Sequence, residues 1–181
     1  RVETKAFHTH AGYGVRALLR AGIRVAIVSG RRSGAVEKRM AELGVEHVIL
    51  GSPDKVRDFT GLADLLGVPM ADTAFVGDDM PDLPLLEAVG VAIAVANAVE
   101  EIRSVCDHVT RRSGGHGAVR VATHTVENEH DCGVLGHHDR GAILVVLAVA
   151  ERGDLCVFDL HGFACGYRLR RKLRMSGLGK T

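Results

Sequence analysis

The sequence carries almost no net charge: 23 Lys and Arg against 22 Asp and Glu leave +1 over 181 residues. So balanced a chain exerts no global pull on nucleic acid or on a membrane surface. No apolar run approaches the roughly 20 residues needed to cross a bilayer, so a soluble protein is expected. Cysteine is scarce as well. The four present, Cys106, Cys132, Cys156 and Cys165, form no CxxC pair and read as reduced thiols of a cytosolic protein. No secretory signal pattern opens the chain, and its first residue is Arg1 and not Met, so a fragment or a processed product of a longer protein is expected. What the chain has in quantity is apolar composition. At 46% apolar and 25% charged, it can bury one sizeable core and is too rich in hydrophobic residues to be disordered along its whole length.

Residues 11 to 120 repeat one rhythm, an apolar run of about five residues, a turn and a helical pattern, as βαβ units do. The strand candidates are RVAIV (24 to 28), EHVIL (46 to 50), TAFVG (73 to 77), VAIAV (91 to 95) and HVT (108 to 110). Helices are expected at about 11 to 21, 34 to 43, 54 to 66 and 81 to 88. Gly22, Gly44, Gly67 and Gly90 each fall where a helix should stop and the next strand begin. Apolar strands alternating with helices imply a parallel sheet covered on both faces, and such a sheet takes its ligand outside the carboxyl ends of its strands.

That rule selects residues. SGRR (Ser29 to Arg32) follows the first strand, GSPDK (Gly51 to Lys55) the second, and GDDMPD (Gly77 to Asp82) the third. Taken singly, Ser29 reads as a turn or N-cap residue, Lys55 as a solvated lysine, and the acids as a helix cap. In order at successive strand ends they describe a phosphoryl site. A hydroxyl at a helix start donates to a phosphate oxygen, a lysine neutralises it, and crowded carboxylates attract a divalent cation through hard oxygen ligands.

The blocks VAIVSGR, GSPDK and FVGDDMPDLPLLEAVGVAIAVANA resemble three successive motifs of the haloacid dehalogenase superfamily of aspartate-nucleophile phosphatases. KAFHTHAGYGVRALLRAGIRVAIVSGR and VTRRSGGHGAVR narrow the resemblance to the small, capless 3-deoxy-D-manno-octulosonate 8-phosphate phosphatases. It covers about residues 3 to 120 and implies an α/β, Rossmann-like three-layer fold, a Mg2+ ion, a cytoplasmic homotetramer and a step of lipopolysaccharide biosynthesis. It further implies that Asp78 is a magnesium ligand with Asp79 and Asp82 in support, and that Ser29 and Lys55 hold the transferred phosphoryl group. Arg16, Arg31 and Arg39 match positions that contact the anionic substrate, and His8, Thr9, His10, Ala11 and Gly12 occupy the substrate loop. His10 stands where the family has Arg, and Ala11 where it has an acid. A related phosphatase of a nonulosonate 9-phosphate, a fusion to a sugar-nucleotide transferase, and an inactive binding module are the other readings that these residues leave open.

One family block is missing. An apolar strand ending in Asp-x-Asp, whose first acid attacks phosphorus, belongs ahead of everything seen here, and no Asp-x-Asp occurs in the 181 residues. The expected core therefore spans residues 1 to 120 without its first, central strand, and the chain as given is expected to be inactive. Residues 121 to 181 match no pattern and read as an extension. Within it AILVVLAVAE (142 to 151) reads as a buried strand or helix, HDCGVLGHHD (130 to 139) lacks zinc-finger spacing, and YRLRRKLR (167 to 174) reads as a solvated basic tail.

Overall fold

A computed structural model describes residue 3, residues 5–120 and residues 144–148. The expected alternation is present. Helix α1 (Thr9–Arg20) leads into β1 (Arg24–Ser29), α2 (Gly34–Leu43) into β2 (His47–Leu50), and α3 (Lys55–Leu65) into β3 (Thr73–Gly77). Then follow α4 (Leu83–Ala88), β4 (Val91–Ala94), α5 (Glu100–Val105), β5 (His108–Val109) and β6 (Leu144–Ala148). Strand order is β2-β1-β6-β3-β4-β5, and every recorded pair is parallel. All carboxyl ends therefore share one rim.

β1, β3 and β4 are buried almost throughout, which explains why they read as unbroken apolar runs and not as alternations. Helices cover them with Leu18, Met40, Phe59, Leu85 and Ile102, all fully buried against Ile27, Phe75 and Ile93. The helix starts follow local chemistry. Ser33 caps α2 by accepting from the Val36 N–H, and Asp54 caps α3 by accepting from the Arg57 N–H. Gly44 ends α2 in the left-handed region at φ 82°, as its position in the sequence implied. No helix among the described residues is long and apolar enough to cross a membrane.

Two differences from the sequence reading have physical reasons. The helix expected over 81 to 88 is a 3-10 turn, Met80–Asp82, followed by α4 from Leu83. Pro84 has no N–H and its ring would clash with the Met80 carbonyl in a continuous helix. The second concerns the middle of the sheet. Residues 144 to 148, read as part of an extension beyond the core, pair with β1 from Arg24↔Leu144 to Val28↔Ala148 and with β3 from Thr73↔Leu144 to Val76↔Leu147. The central position is thus occupied, by the strand that comes last among the described residues. The stretches 130 to 139 and 167 to 174 lie outside the described residues.

Candidate functional site

Three strand exits are joined by hydrogen bonds along the carboxyl rim. Ser29 closes β1 and is buried; its carbonyl accepts from the Ser52 N–H at 2.9 Å, which ties the first exit to the second. Its hydroxyl oxygen accepts from the Arg31 N–H at 3.2 Å, an arrangement that leaves the hydroxyl proton available to a ligand oxygen. Lys55 opens α3, and its ammonium donates to Asp82 Oδ1 at 2.6 Å, which ties the second exit to the third. Asp82 Oδ2 accepts from the backbone N–H groups of Asp78 at 3.1 Å and Asp79 at 3.5 Å. Ser29, Lys55 and Asp78 are therefore linked through Ser52 and Asp82.

Glycine makes the close packing at β3 feasible. A Cβ on Gly77 would come within 2.8 Å of Asp82 Cβ, so only glycine lets the Asp82 side chain fold beneath the strand end. The Val95 N–H donates to the Gly77 carbonyl and the Val99 N–H to the Asp78 carbonyl, closing the same corner from the β4 side. Beyond it, Thr110 accepts from the Ala96 N–H and donates to the Arg112 carbonyl, while Asn97 Oδ1 accepts from the Gly114 N–H at 2.7 Å. These side chains hold the 111 to 117 loop beside β4.

The three acids do not act alike. Both oxygens of Asp82 are engaged, and its side chain is 2% exposed. Asp79 caps the 3-10 turn by accepting from the Met80 N–H. Asp78, whose side chain is hydrogen-bonded to that of Asp82, is the acid that neither caps a turn nor accepts from Lys55. Its pKa is pushed up to about 6, by burial first and then by Asp82 and Asp79, with Lys55 working in the opposite direction. A trio of carboxylate ligands is not what the rim offers: among the described residues no group of three or more His, Cys, Asp or Glu could hold a metal ion.

The residues matched to substrate contacts are more dispersed. Arg31 sits at the rim just after β1. Arg16 and Arg39 point elsewhere: Arg16 Nη2 donates to the Glu42 carbonyl at 3.0 Å and Arg39 Nη1 to Glu42 Oε2 at 3.1 Å, near the far end of α2. Gly12 packs against Arg39 and Leu43 between α1 and α2. His8 precedes α1 with its ring edge-on to that of His10, at 5.0 Å between centroids, and its Nδ1 is buried without a partner. Thr9 and Ala11 lie in the first turn and a half of α1. Ser52, Asn97 and Thr110 were not singled out by sequence. All three stood within quoted blocks, yet no spacing rule marks a side chain that braces a loop.

Residues 51–121 match the model of a haloacid dehalogenase-like hydrolase family. The 3-deoxy-D-manno-octulosonate 8-phosphate phosphatase of Escherichia coli K12 is 43% identical over 118 residues, 65% of this chain and 63% of that protein. The crystal structure of the Moraxella catarrhalis 3-deoxy-D-manno-octulosonate 8-phosphate phosphatase, solved with magnesium, phosphate and KDO, is 40% identical and superposes with a TM-score of 0.68 over 74% of this chain and 78% of that one. This chain belongs to the haloacid dehalogenase-like hydrolase family. The cobalt-bound Haemophilus influenzae deoxy-D-mannose-octulosonate 8-phosphate phosphatase is similar too, at 36% identity and TM-score 0.67, over 70% of this chain and 74% of that one. The chain spans a little under two thirds, 63%, of the curated relatives it matches. The parallel α/β sheet expected from the sequence is the fold of these family members.

Proposed function

We propose that the protein is a magnesium-dependent phosphatase of an acidic sugar phosphate, with 3-deoxy-D-manno-octulosonate 8-phosphate as substrate, in the lipopolysaccharide pathway. The observation that carries this reading is the hydrogen-bonded chain that brings Ser29, Lys55 and Asp78 to one rim. Lys55 spends one of its N–H groups on Asp82 and has two left for phosphoryl oxygens, and the Ser29 hydroxyl supplies another donor. Arg31 adds a guanidinium fork suited to a phosphate or a sugar-acid carboxylate. Asp78 fits a magnesium ion, which takes one or two carboxylates and fills its remaining positions with water and phosphate oxygens. When bound, that ion would offset negative charge on the phosphoryl group. The relatives' substrate and metal support the assignment. A cytoplasmic homotetramer, in which a neighbouring subunit adds cationic groups to the rim, is part of the same reading; the engagement of Arg16 and Arg39 with Glu42 supports it, because it keeps those cations from their own rim.

A second reading has one observation in its favour. The strand between β1 and β3 ends on Leu147 and Ala148, whose side chains contain no nucleophile or proton-transfer group. A binding module that holds an acidic sugar phosphate without cleaving it would look the same. The 181-residue chain is accordingly expected to release no phosphate from 3-deoxy-D-manno-octulosonate 8-phosphate or from a nonulosonate 9-phosphate. A protein extended upstream by an Asp-x-Asp strand is expected to do so. Sustained magnesium-dependent release by the shorter chain would contradict the reading, and inactivity of the extended one on both esters would favour the binding module.

The metal assignment has its own test. Because the folded pKa of Asp78 is raised above the ordinary value of about 3.9, folding favours its protonated form. In metal-free protein its contribution to stability is therefore most favourable below about pH 4, declines as pH rises towards about 6, and is lowest above that. Asp78→Asn is expected to raise the melting temperature of metal-free protein at pH 7.5. Mg2+ should raise that of the wild type and leave the variant unmoved. An equal magnesium shift in both proteins would remove Asp78 from the metal site.

A further inference from the structure

Ser52 is given no contact with the phosphoryl group above, yet it is buried, at 7% exposed, and its N–H and hydroxyl are both committed. Its N–H donates to the Ser29 carbonyl at 2.9 Å, and its hydroxyl donates to Asp58 Oδ2 at 2.7 Å. Its own carbonyl lies 3.6 Å from where a Cβ on Gly30 would stand, so the loops after β1 and β2 touch here. Asp58 is in the first turn of α3, three positions after Lys55. Arg57 secures it, with Nε at 2.9 Å and Nη2 at 2.7 Å from Oδ1. The hydrogen bond from Ser52 and the one from Arg57 both hold the Asp58 carboxyl below the usual range, so it is an anionic acceptor at neutral pH.

The Ser52–Asp58 bond is not needed to start the helix. Asp54 already caps α3 through the Arg57 N–H, and the Asp58 N–H bonds to the Asp54 carbonyl. What the bond does is fix the loop between two rigid elements. From the Ser29 carbonyl the connection runs through the Ser52 backbone and hydroxyl to Asp58, and so to the helical turn that carries Lys55. The two donors assigned to the same phosphoryl group are thereby held at a set separation. A group that accepts from two donors at once is sensitive to that separation, because each hydrogen bond weakens steeply away from its optimum.

We infer that Ser52, acting through Asp58, is the positioning residue of the anion half of the site, setting the spacing at which Ser29 and Lys55 grip one phosphoryl group. The inference rests on the phosphoryl reading above. Calorimetric titration of the full chain with inorganic phosphate in the presence of Mg2+ tests it. Ser52→Ala is expected to weaken phosphate binding about tenfold, the size of one lost hydrogen bond's geometry. Asp58→Ala should do the same, and the double variant should be no worse than either, since both remove one connection. Ser52→Thr, which keeps the hydroxyl, should recover most of the affinity, and the Mg2+-induced melting shift should persist in every variant because Asp78 is untouched. A brace with a purely stabilising role would lower the melting temperature and leave the phosphate affinity of the folded protein unchanged. Wild-type binding together with unchanged affinity in Ser52→Ala, or with losses that multiply in the double variant, would overturn the positioning role alone. A wild type that binds no phosphate would overturn the phosphoryl reading and this inference with it.

Discussion

Lys55→Met is expected to destabilise the protein by about 3 kcal/mol and to abolish measurable phosphate binding. The Lys55 and Asp82 side chains are 12% and 2% exposed and meet at 2.6 Å. An exposed ion pair would contribute at most about 1 kcal/mol, and its loss would hardly register. Here the partner left behind is a carboxylate sealed from water, and removing one member of a buried pair costs about 3–5 kcal/mol because the other cannot be resolvated. The lower figure applies because Asp82 keeps its N–H donors from Asp78 and Asp79. A second substitution separates the cost of an orphaned charge from lost packing. Lys55→Met combined with Asp82→Asn removes both charges and still leaves an acceptor for the backbone N–H groups, so it should recover more than about 1 kcal/mol of the loss. Urea unfolding with an unchanged slope measures both values. A single variant within about 0.5 kcal/mol of wild type would show that water reaches Asp82 and that the pair behaves as a surface contact.

The dependence of the site on this pair shows what the sequence could and could not convey. Strand ends are legible because period, turn residues and the parallel-sheet rule are local or topological. Ser29 and Asp78 stand at the ends of runs whose apolar character reflects burial on both faces, Lys55 follows a half-buried edge strand, and the rule puts all three on one rim. Partnership across the rim is not legible. Nothing in the spacing of residues 55 and 82 states that the lysine takes one oxygen of Asp82 while two backbone N–H groups take the other, so the family resemblance sets Asp78 apart from the other two acids while the physical reason is visible only in three dimensions. The same limit applies to Arg16 and Arg39. Their positions matched substrate contacts, but a guanidinium on a long stem goes where an acceptor lies, and the end of α2 offers Glu42.

Secondary structure failed at two kinds of place. Helix α5, six residues with Ile102 as its one buried member, is too short to show a helical period. The pattern over 142 to 151 marks strand β6 as an element but not as a central one, because pairing with β1 joins residues more than a hundred positions apart, and no local pattern encodes such a contact. An apolar run of five residues fits any buried slot of that length. Its hydrogen bonds to β1 and β3 join the half-sheet carrying Ser29 to the half-sheet carrying Asp78, so the site depends on residues that look like an appendage.

The sequence pattern makes Gly90 one more helix-ending glycine, and the structure gives it a different reason. Gly22, Gly44 and Gly67 adopt positive φ, whereas Gly90 does not. What Gly90 lacks is room. A Cβ there would overlap the Ala71 carbonyl oxygen, far inside van der Waals contact, and lie 2.6 Å from the carbonyl carbon, while the Gly90 N–H donates to the Met70 carbonyl at 3.0 Å. Backbone must move to admit a methyl group, and that hydrogen bond resists the movement. Gly90→Ala should therefore cost about 3 kcal/mol, at the top of the range for forcing extra atoms into a packed site. Gly44 supplies the contrast, since nothing lies within 4 Å of a Cβ placed on it. Gly44→Ala should cost only the left-handed backbone conformation, about 1 kcal/mol. If urea unfolding ranked the two the other way, the turn at Met70–Asp72 would have to yield freely, and the close packing of that turn against the start of β4 would not be what selects glycine at position 90.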